Sequence, residues 1–360
     1  MMNHHSMLLT LIALMGAFSL PCSGADNPSG PPRHDFPRVG SYQVITGDFH
    51  MHTINSDGKL TTRERVEESY KWGYDAIAVT DHGKTTAYRA AQYVGEPLGM
   101  IIIRGFETGI ANREHLVVLN VPSDYKIRDP HVWAENPGES KAFYQEELSN
   151  IAKVGGVVIY PHPHVGYREP VLWGIKQGII QGAELKNGVV ADGWSTVKDH
   201  GTSWYPSAVD FAMRQNLAIL ANSDVHGNRQ PDTSPTTLLL VTERSVDGVM
   251  DAIRQQRPAA WFGGMLWGRE KLLGELIGAS VGFSKTADGS IVVENLSPVP
   301  LSATVLGNAG GTPDQKLDLA AYGKASADGV GTAKSITVKW DNVWTGLTTN
   351  LMTEVALKAE

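Results

Sequence analysis

The amino-acid sequence predicts an α/β fold: a barrel of about seven β/α units followed by a small all-β region. Short apolar strands alternate with helical segments from residue 41 to about residue 275, which is typical of parallel β/α architecture. From about Ile277 the helical pattern fades, and short strands separated by Gly, Ala, Thr and Asp follow. We therefore expect a catalytic barrel over residues 41–275 and a small β-sandwich-like domain over residues 276–360.

The chain opens with a segment that we interpret as a secretory signal over residues 1–25. Met7 to Leu20 is an apolar run too short for a comfortable membrane span, and Ser23-Gly24-Ala25 offers small residues suited to signal peptidase. Residues 26–40, rich in Pro, Gly and Ser, are predicted to be a flexible lead-in. We expect an exported protein, periplasmic or extracellular, with no membrane span in the mature chain.

The composition indicates a globular protein and argues against a general nucleic-acid binder or a thiol-dependent enzyme. The chain has 360 residues, of which 42% are hydrophobic and 19% charged, as in globular proteins. The net charge of −7 and the lack of a Lys/Arg run argue against a general nucleic-acid binder. Cys22 is the only cysteine, so a chain cut after Ala25 has no thiolate nucleophile or thiolate metal ligand. A lipid anchor on Cys22 is the alternative, although Pro21 beside it makes a poor lipobox.

Apolar runs and breaker residues predict the elements in order. Thr61 and Glu64 form a capping box for the first helix, and Gly73 ends it. Strands are expected in the barrel region at residues 42–51, 76–79, 100–103, 115–121, 156–160, 182–185, 217–221 and 259–262. Helices are expected at about residues 61–72, 85–93, 141–154, 170–177, 208–215 and 247–254. Strands are expected in the C-terminal region at residues 281–283, 290–294, 301–306, 335–340 and 351–357.

Metal-capable side chains lie at the ends of these strands, where barrel enzymes carry their chemistry. His50 and His52 stand two residues apart on the first strand and so point to the same side, as two ligands of one metal need. A half-buried strand with incidental histidines is the alternative for this pair alone. The other candidates at strand ends are Asp81, His82, Glu107, His115, His162, Asp224 and His226, with His164 nearby.

Five short motifs in order resemble the polymerase and histidinol phosphatase (PHP) superfamily over about residues 42–264. The motifs are His50-Met51-His52-Thr53 with Ser56-Asp57-Gly58, Thr80-Asp81-His82, Gly105-Phe106-Glu107 followed by His115, Pro161-His162-Pro163, and Ser223-Asp224-Val225-His226. The resemblance implies a distorted PHP-type barrel of about seven β/α units with a centre of two or three metal ions.

The resemblance also implies three ligand sets. The first metal would take His50, His52, Glu107 and Asp224; the second would share Glu107 and take His115 and His162; the third would take Asp57, His82 and His226. Some relatives have a histidine where this chain has Asp57, which changes the charge of the third site. A mixed imidazole and carboxylate set suits Zn, Mn or Fe.

Such a centre predicts the metal-dependent hydrolysis of phosphate esters. Two metals bridged by Glu107 would lower the pKa of a shared water, and the resulting hydroxide would attack phosphorus. We expect a small-molecule substrate, with a phosphodiester favoured because an exported phosphorus scavenger meets diesters, and no nucleic-acid partner. The alternatives are a phosphomonoesterase of the histidinol-phosphatase type and a non-catalytic exported protein that binds metal or glycan.

Other residues near the motifs are weaker candidates. His164 could be a general acid or a ligand, and Asp48 and Asp81 could each hydrogen-bond a ligand histidine or cap a strand end. Loop cations that could hold a phosphate oxygen, or be solvated charges only, are Arg113, Lys186, Lys84 and Arg168. Loop aromatics that could wall a pocket or anchor a loop are Tyr167, Trp194 and Trp204.

Overall fold

The computed structural model describes residues 34–110, 114–127, 137–163, 169–187, 204–230, 235–307, 313–328 and 333–357. The first strands of this part are β1 (Gln43–Asp48), β2 (Ala76–Val79), β3 (Ile101–Ile110), β4 (Glu114–Leu119), β5 (Val157–Tyr160), β6 (Ile180–Lys186), β7 (Ala218–Ala221), β8 (Thr236–Val241) and β9 (Pro258–Phe262). The later strands are β10 (Met265–Trp267), β11 (Val281–Lys285), β12 (Ile291–Asn295), β13 (Leu301–Val305), β14 (Gln315–Leu319), β15 (Lys324–Ala327), β16 (Ser335–Gly346) and β17 (Thr349–Ala356).

Helices separate most of the strands in the first two thirds of the chain. They are α1 (Thr62–Lys71), α2 (Ala87–Gly95), α3 (Pro137–Lys153), α4 (Glu169–Lys176), α5 (Pro206–Arg214), α6 (Val246–Arg254) and α7 (Glu270–Ser280). The predicted α/β class with a β-rich C-terminal part is therefore confirmed. The sequence analysis predicted no element at β8, β10, β14, β15 or α7.

A 14-stranded sheet runs through the molecule, and its central part has the order β8-β1-β2-β3-β4-β5-β6-β7. Neighbours β1, β2 and β3 are parallel, as are β5, β6 and β7. In contrast to the predicted parallel arrangement, β4 is antiparallel to β3 and β5, and β8 is antiparallel to β1. Only residues 111–113 join β3 to β4, too few for the crossover that a parallel pair requires.

The two edges of this central sheet approach each other through Thr237. Its Oγ1 accepts a hydrogen bond from Ala221 N at 3.0 Å and donates one to Ala221 O at 2.9 Å. In the residues described, no backbone ladder joins β7 to β8 or β9, so closure into a barrel stays a prediction. Apolar side chains from strands on both sides of this approach, including Ile45, Ile159, Leu220 and Leu239, form one buried cluster.

Strand β10 joins the C-terminal strands to the central sheet. It forms a hairpin with β9 through Gly263 and Gly264, whose φ values of 55° and 71° suit a two-residue turn. It also pairs in parallel with β16. Strand β16 pairs in turn with β13 and β17, and β14 pairs with β13. A second sheet, β11-β12-β15, contributes Ile291 and Val293 to the same buried apolar cluster as α7 and β16. The predicted boundary at residues 275/276 falls inside α7, and the division into domains stays a prediction.

The described end of the predicted lead-in packs against the fold. The His34 ring meets Trp261 edge-on, with ring centroids 5.4 Å apart, and Val39 is buried. The predicted signal segment and Cys22 lie outside the described residues. Within the part of the chain that the structure describes, no helix is long and apolar enough to cross a membrane.

Candidate metal centre

The structure brings all of the predicted metal ligands together at one end of the central sheet. His50 and His52 follow β1, and His82 follows β2. The side chains that complete the cluster come from β3, from β4, and from the segments after β5 and β7; they are Glu107, His115, His162, Asp224 and His226. Asp57 joins them from the loop between β1 and α1.

The innermost group consists of His50, His52, Glu107 and Asp224, each at most 4% exposed at the side chain. One ligand atom from each lies within 4.8 Å of the others. His52 Nε2 is 3.0 Å from Asp224 Oδ1, and His50 Nε2 is 3.3 Å from both Glu107 Oε2 and Asp224 Oδ1. These nitrogens and Asp224 Oδ1 nevertheless make no well-directed hydrogen bond. Buried polar atoms rarely stay unpaired, so the arrangement fits a bound cation.

Glu107 is the carboxylate that both halves of the centre share. Its Oε2 faces His52 Nε2 at 3.2 Å and His82 Nδ1 at 3.3 Å. Its Oε1 faces His115 Nδ1 at 2.9 Å and His162 Nε2 at 3.2 Å. A carboxylate with histidines around each oxygen can bridge two ions. The first predicted ligand set is one of the groups whose donor atoms converge, and another such group joins Glu107 to His82 and His115. The assignment of ligands to individual metals stays a prediction.

Asp57 organises an outer group with His52, His82 and His226. Its Oδ2 is 3.1 Å from His226 Nε2 and 3.4 Å from His82 Nε2, and its Oδ1 is 3.3 Å from His52 Nδ1. A Cβ on Gly58 would come within 2.6 Å of the His52 and Thr53 backbone, so only glycine lets this loop fold so closely. The outer group matches the predicted third ligand set with His52 added.

The pKa values of the buried acids and histidines in the centre are shifted by their mutual charges. Burial alone lowers the pKa of His50, but the carboxylates of Asp224, Glu107 and Glu184 outweigh burial and raise it well above its usual value. Burial alone raises the pKa of Glu107, yet the surrounding histidines, His50 first, bring it well below its usual value. Glu107 and Asp224, whose pKa values are both lowered, are thus ionised across the neutral pH range, as cation binding requires.

Two of the predicted ligands have unusual backbone conformations. His162 has φ of 30° and Asp224 has φ of 49°, in the left-handed region that non-glycine residues rarely adopt. Asp224 N donates to His50 O at 2.7 Å, and His52 N donates to Val225 O at 3.0 Å. These bonds tie the segment after β7 to the segment after β1 and hold Asp224 in place. Strain of this kind is common at functional sites.

Asp48 and Asp81 contact backbone and hydroxyl groups rather than the imidazole rings that the sequence analysis proposed for them. Asp48 Oδ1 accepts from Ser223 N at 3.0 Å, and its Oδ2 is 2.6 Å from Arg229 Nη1. Asp81 accepts from Thr53 N at 2.7 Å and from Ser56 Oγ at 2.8 Å. Both acids therefore fix the loops that carry the ligands.

Sequence reasoning missed Glu184, which is completely buried on β6. Its Oε1 lies 3.0 Å from His50 Nδ1 and accepts from Asn222 Nδ2 at 2.9 Å. Its Oε2 accepts from Asn187 Nδ2 at 3.2 Å, and the same amide donates to Asp224 Oδ2 at 3.1 Å. The available signal was a single carboxylate between the apolar residues Ala183 and Leu185 of the strand.

The weaker candidates divide between described and undescribed residues. Lys186 is buried at the end of β6, and its Nζ donates to Asn187 O at 3.1 Å. Lys84 Nζ donates to Asn55 O at 2.8 Å. Trp204 is fully buried beside Trp267, with ring centroids 4.7 Å apart, so it anchors the core. The candidates outside the described residues are His164, Arg113, Arg168, Tyr167 and Trp194.

A sequence-family model for the PHP domain matches residues 48–153. This part of the chain therefore carries a PHP domain. The match contains the first motifs of the centre, through Glu107 and His115, whereas His162, Asp224 and His226 lie beyond its end.

Two curated relatives are similar to parts of this chain. The DNA polymerase III PolC-type of Bacillus cereus is 34% identical over 146 residues, covering 38% of this chain and 10% of the polymerase. The phosphoribosyl 1,2-cyclic phosphate 1,2-diphosphodiesterase of Eggerthella lenta is 35% identical over 60 residues, covering 17% of this chain and 23% of the enzyme. The matches to these two relatives thus span a quarter of their lengths or less.

A crystal structure from Bacteroides vulgatus shares the fold of most of this chain. That protein is a two-domain protein containing a predicted PHP-like metal-dependent phosphoesterase. The TM-score is 0.74, with 20% sequence identity, and the alignment covers 91% of this chain and 99% of the other. At this identity the likeness shows a shared fold.

Proposed function

We propose that this protein is a metal-dependent phosphoesterase that hydrolyses small phosphate esters, with phosphodiesters favoured. One observation carries the proposal: buried, unpaired donor atoms of His50, His52 and Asp224 converge beside the shared carboxylate of Glu107. Unpaired buried polar atoms cost free energy in the folded protein. Such a cluster is favourable when two or three divalent ions, Zn, Mn or Fe, occupy it.

The residues of the site would have separate roles in holding the metal ions and in binding the phosphate. Ions held here would lower the pKa of a water and neutralise charge on the phosphate oxygens. Glu107 would hold two ions at a fixed separation, and Asp57 would place a third near solvent. Lys186 is buried and donates from Nζ to Asn187 O, and it is our candidate for holding a phosphate oxygen. Arg113 and His164 are proposed as further groups that contact the substrate. The family resemblance and the buried ligand set support these assignments.

The preference for a diester rests on two lines of support. The name of the matched Eggerthella lenta relative describes a diester-cleaving enzyme. The apolar N-terminal run also favours export, to a compartment where an enzyme scavenging phosphorus meets diesters. The net charge of −7 favours a small-molecule substrate over a nucleic acid.

The test combines metal content with turnover of two substrates. We expect two to three ions per chain after loading with Mn or Zn, and hydrolysis of bis(p-nitrophenyl) phosphate. Turnover of p-nitrophenyl phosphate alone would reassign the protein as a phosphomonoesterase. Bound metal without either activity would favour the non-catalytic binding protein, and no bound metal under any loading would refute the centre.

Replacing Glu107, the shared carboxylate, gives the most direct test of the proposal by mutation. We expect Glu107→Gln to retain the fold, to lose at least one ion and to reduce turnover by more than roughly 100-fold, because it removes a charge common to two ligand sets. Glu275→Gln, an exposed acid on α7, is the matched control and should keep full activity. Full metal content and turnover in Glu107→Gln would contradict the proposal.

A further inference from the structure

We infer that Glu184 is the positioning residue that holds His50 as a metal ligand through its Nε2 atom. This inference rests on the metal centre of the proposed function. His50 is completely buried, and its two ring nitrogens face different partners. Nε2 faces Glu107 and Asp224, whereas Nδ1 faces Glu184 at 3.0 Å.

Glu184 cannot turn away from His50 without breaking its other contacts. Asn222 Nδ2 donates to Oε1, and the Asn222 Oδ1 atom accepts from Phe49 N at 3.0 Å, next to His50 in the chain. Asn187 Nδ2 donates to Oε2 and also to Asp224 Oδ2. The two amides therefore hold the carboxylate and connect it to β1 and to a second ligand of the same ion.

The carboxylate fixes which nitrogen of His50 carries a hydrogen. An acceptor at Nδ1 requires an Nδ1–H, and a neutral ring then presents its Nε2 lone pair to the centre. The Nδ1 of His52 instead faces Ser56 Oγ at 3.3 Å and the half-exposed Asp57. Glu184 thus gives His50 a fixed orientation that His52 obtains only from the outer group.

The position of Glu184 also separates it from the ligands. Its oxygens contact two amides and the far nitrogen of His50, and within the described part of the chain it belongs to none of the three groups whose donor atoms converge. A positioning role therefore explains a completely buried carboxylate that would otherwise be costly to bury.

The experiment measures zinc affinity by competition with a chelator, in Glu184→Gln and in a matched control. Glutamine has the same shape, but in either amide orientation one of its NH₂ contacts meets another donor. We expect zinc to bind Glu184→Gln roughly 10- to 100-fold more weakly than the wild type. Glu147→Gln removes an equally buried acid on α3 that accepts from Tyr125 OH at 2.7 Å, and it should leave the affinity unchanged.

A spectroscopic readout separates positioning from general destabilisation. In zinc-loaded protein labelled with [¹⁵N]histidine, we expect a downfield imidazole N–H resonance that is lost or shifted in Glu184→Gln and kept in Glu147→Gln. Unchanged affinity, an unchanged resonance, or an equal loss of affinity in the control would overturn the inference. Neither readout uses substrate, so zinc-binding protein without phosphoesterase activity would refute the proposed function and leave the role of Glu184 standing.

Discussion

Asp57 is the most exposed of the predicted ligands, and its exposure sets it apart from the inner group. Its side chain is 51% exposed, compared with 0% for His50 and 1% for Glu107. Water competes with an exposed carboxylate for a cation and screens its charge. An ion in the outer group should therefore exchange more readily than an ion bound by the inner group.

Removing this carboxylate should empty the outer group alone. We predict that Asp57→Ala lowers the metal content by about one ion per chain and leaves the inner ions bound, because the inner group keeps all four of its own ligand side chains. Elemental analysis after dialysis measures the content. Asp210→Ala, an acid of similar exposure on α5, is the control. Equal metal content in Asp57→Ala and the wild type would show that Asp57 holds no ion.

The sequence predicted the candidate ligands of this centre better than the residues that hold those ligands in position. His50, Glu107 and Asp224 were found because polar residues at the ends of apolar strands give a local signal. Glu184 gives a weaker signal, since its partners Asn187 and Asn222 come from different strand ends and its target, His50, follows β1. Contacts between distant segments have no local pattern, so they became visible only in the folded structure.

Helix α1 connects the centre to the surface of the molecule. Thr61 Oγ1 accepts from Glu64 N at 3.3 Å, and Glu64 Oε2 accepts from Thr61 N at 2.8 Å, so the predicted capping box is confirmed. Arg65 on the same helix donates to His52 O at 3.1 Å and to Gly227 O at 2.8 Å. The helix therefore braces two of the segments that carry the ligands, those after β1 and β7.

The capping box gives a prediction about stability. We expect Thr61→Ala to lower the free energy of unfolding by about 1 kcal/mol, because the first turn of α1 loses its side-chain acceptor. Thr86→Ala is the matched control, since Thr86 occupies the same position before α2 without a capping hydrogen bond. Urea denaturation of the metal-free proteins measures both. An equal loss in the two variants would exclude capping as the cause.

The buried ion pair of Asp48 and Arg229 should contribute more to the free energy of unfolding than the capping box does. Both side chains are completely buried and lie 2.6 Å apart. We predict that Arg229→Met costs about 3–5 kcal/mol, because it leaves the Asp48 charge unpaired in the interior. The double variant Asp48→Asn with Arg229→Met should recover part of this loss in a double-mutant cycle. Additive losses would mean that the two charges do not stabilise each other.

Some elements were overlooked although their sequences carried a signal. The run at β8 (Thr236–Val241) is wholly buried, as expected of an apolar strand, but no chemical residue follows it to draw attention. Helix α7 has its buried leucines at helical spacing, at positions 272, 273 and 276. By contrast, the pairing of β10 with β16 joins segments far apart in the chain, and no local pattern could have predicted that register.

At the scale of the whole molecule, the C-terminal strands extend the central sheet and share its core. Trp267 on β10 stacks on Trp344 of β16, with ring centroids 5.3 Å apart and an interplanar angle of 13°. Leu273 and Ile277 of α7 belong to the same buried cluster as Val338 and Trp340 of β16. Removing the C-terminal strands would therefore expose apolar surface on the remaining chain.

This shared core predicts the behaviour of a shortened protein. We expect a chain ended after Ser280 to lose cooperative thermal unfolding, because β10 loses its partner strand and α7 loses the surface that it covers. A chain ended at residue 357 is the control and should melt like the full-length protein. Circular dichroism follows both. A cooperative transition at the wild-type temperature in the shorter chain would show that the first 280 residues fold alone.

The ties between the segments after β1 and β7 have a consequence for biosynthesis. Ser223 and His50, which they bring into hydrogen-bond contact, are 173 positions apart in the chain. At ribosomal rates of about 5–20 residues per second, roughly ten to thirty seconds separate their synthesis. During that interval the nascent chain already has His50, His52 and Glu107 but lacks Asp224, so an early cation meets an incomplete set of donors. The finished centre can load only after translation has passed Asp224.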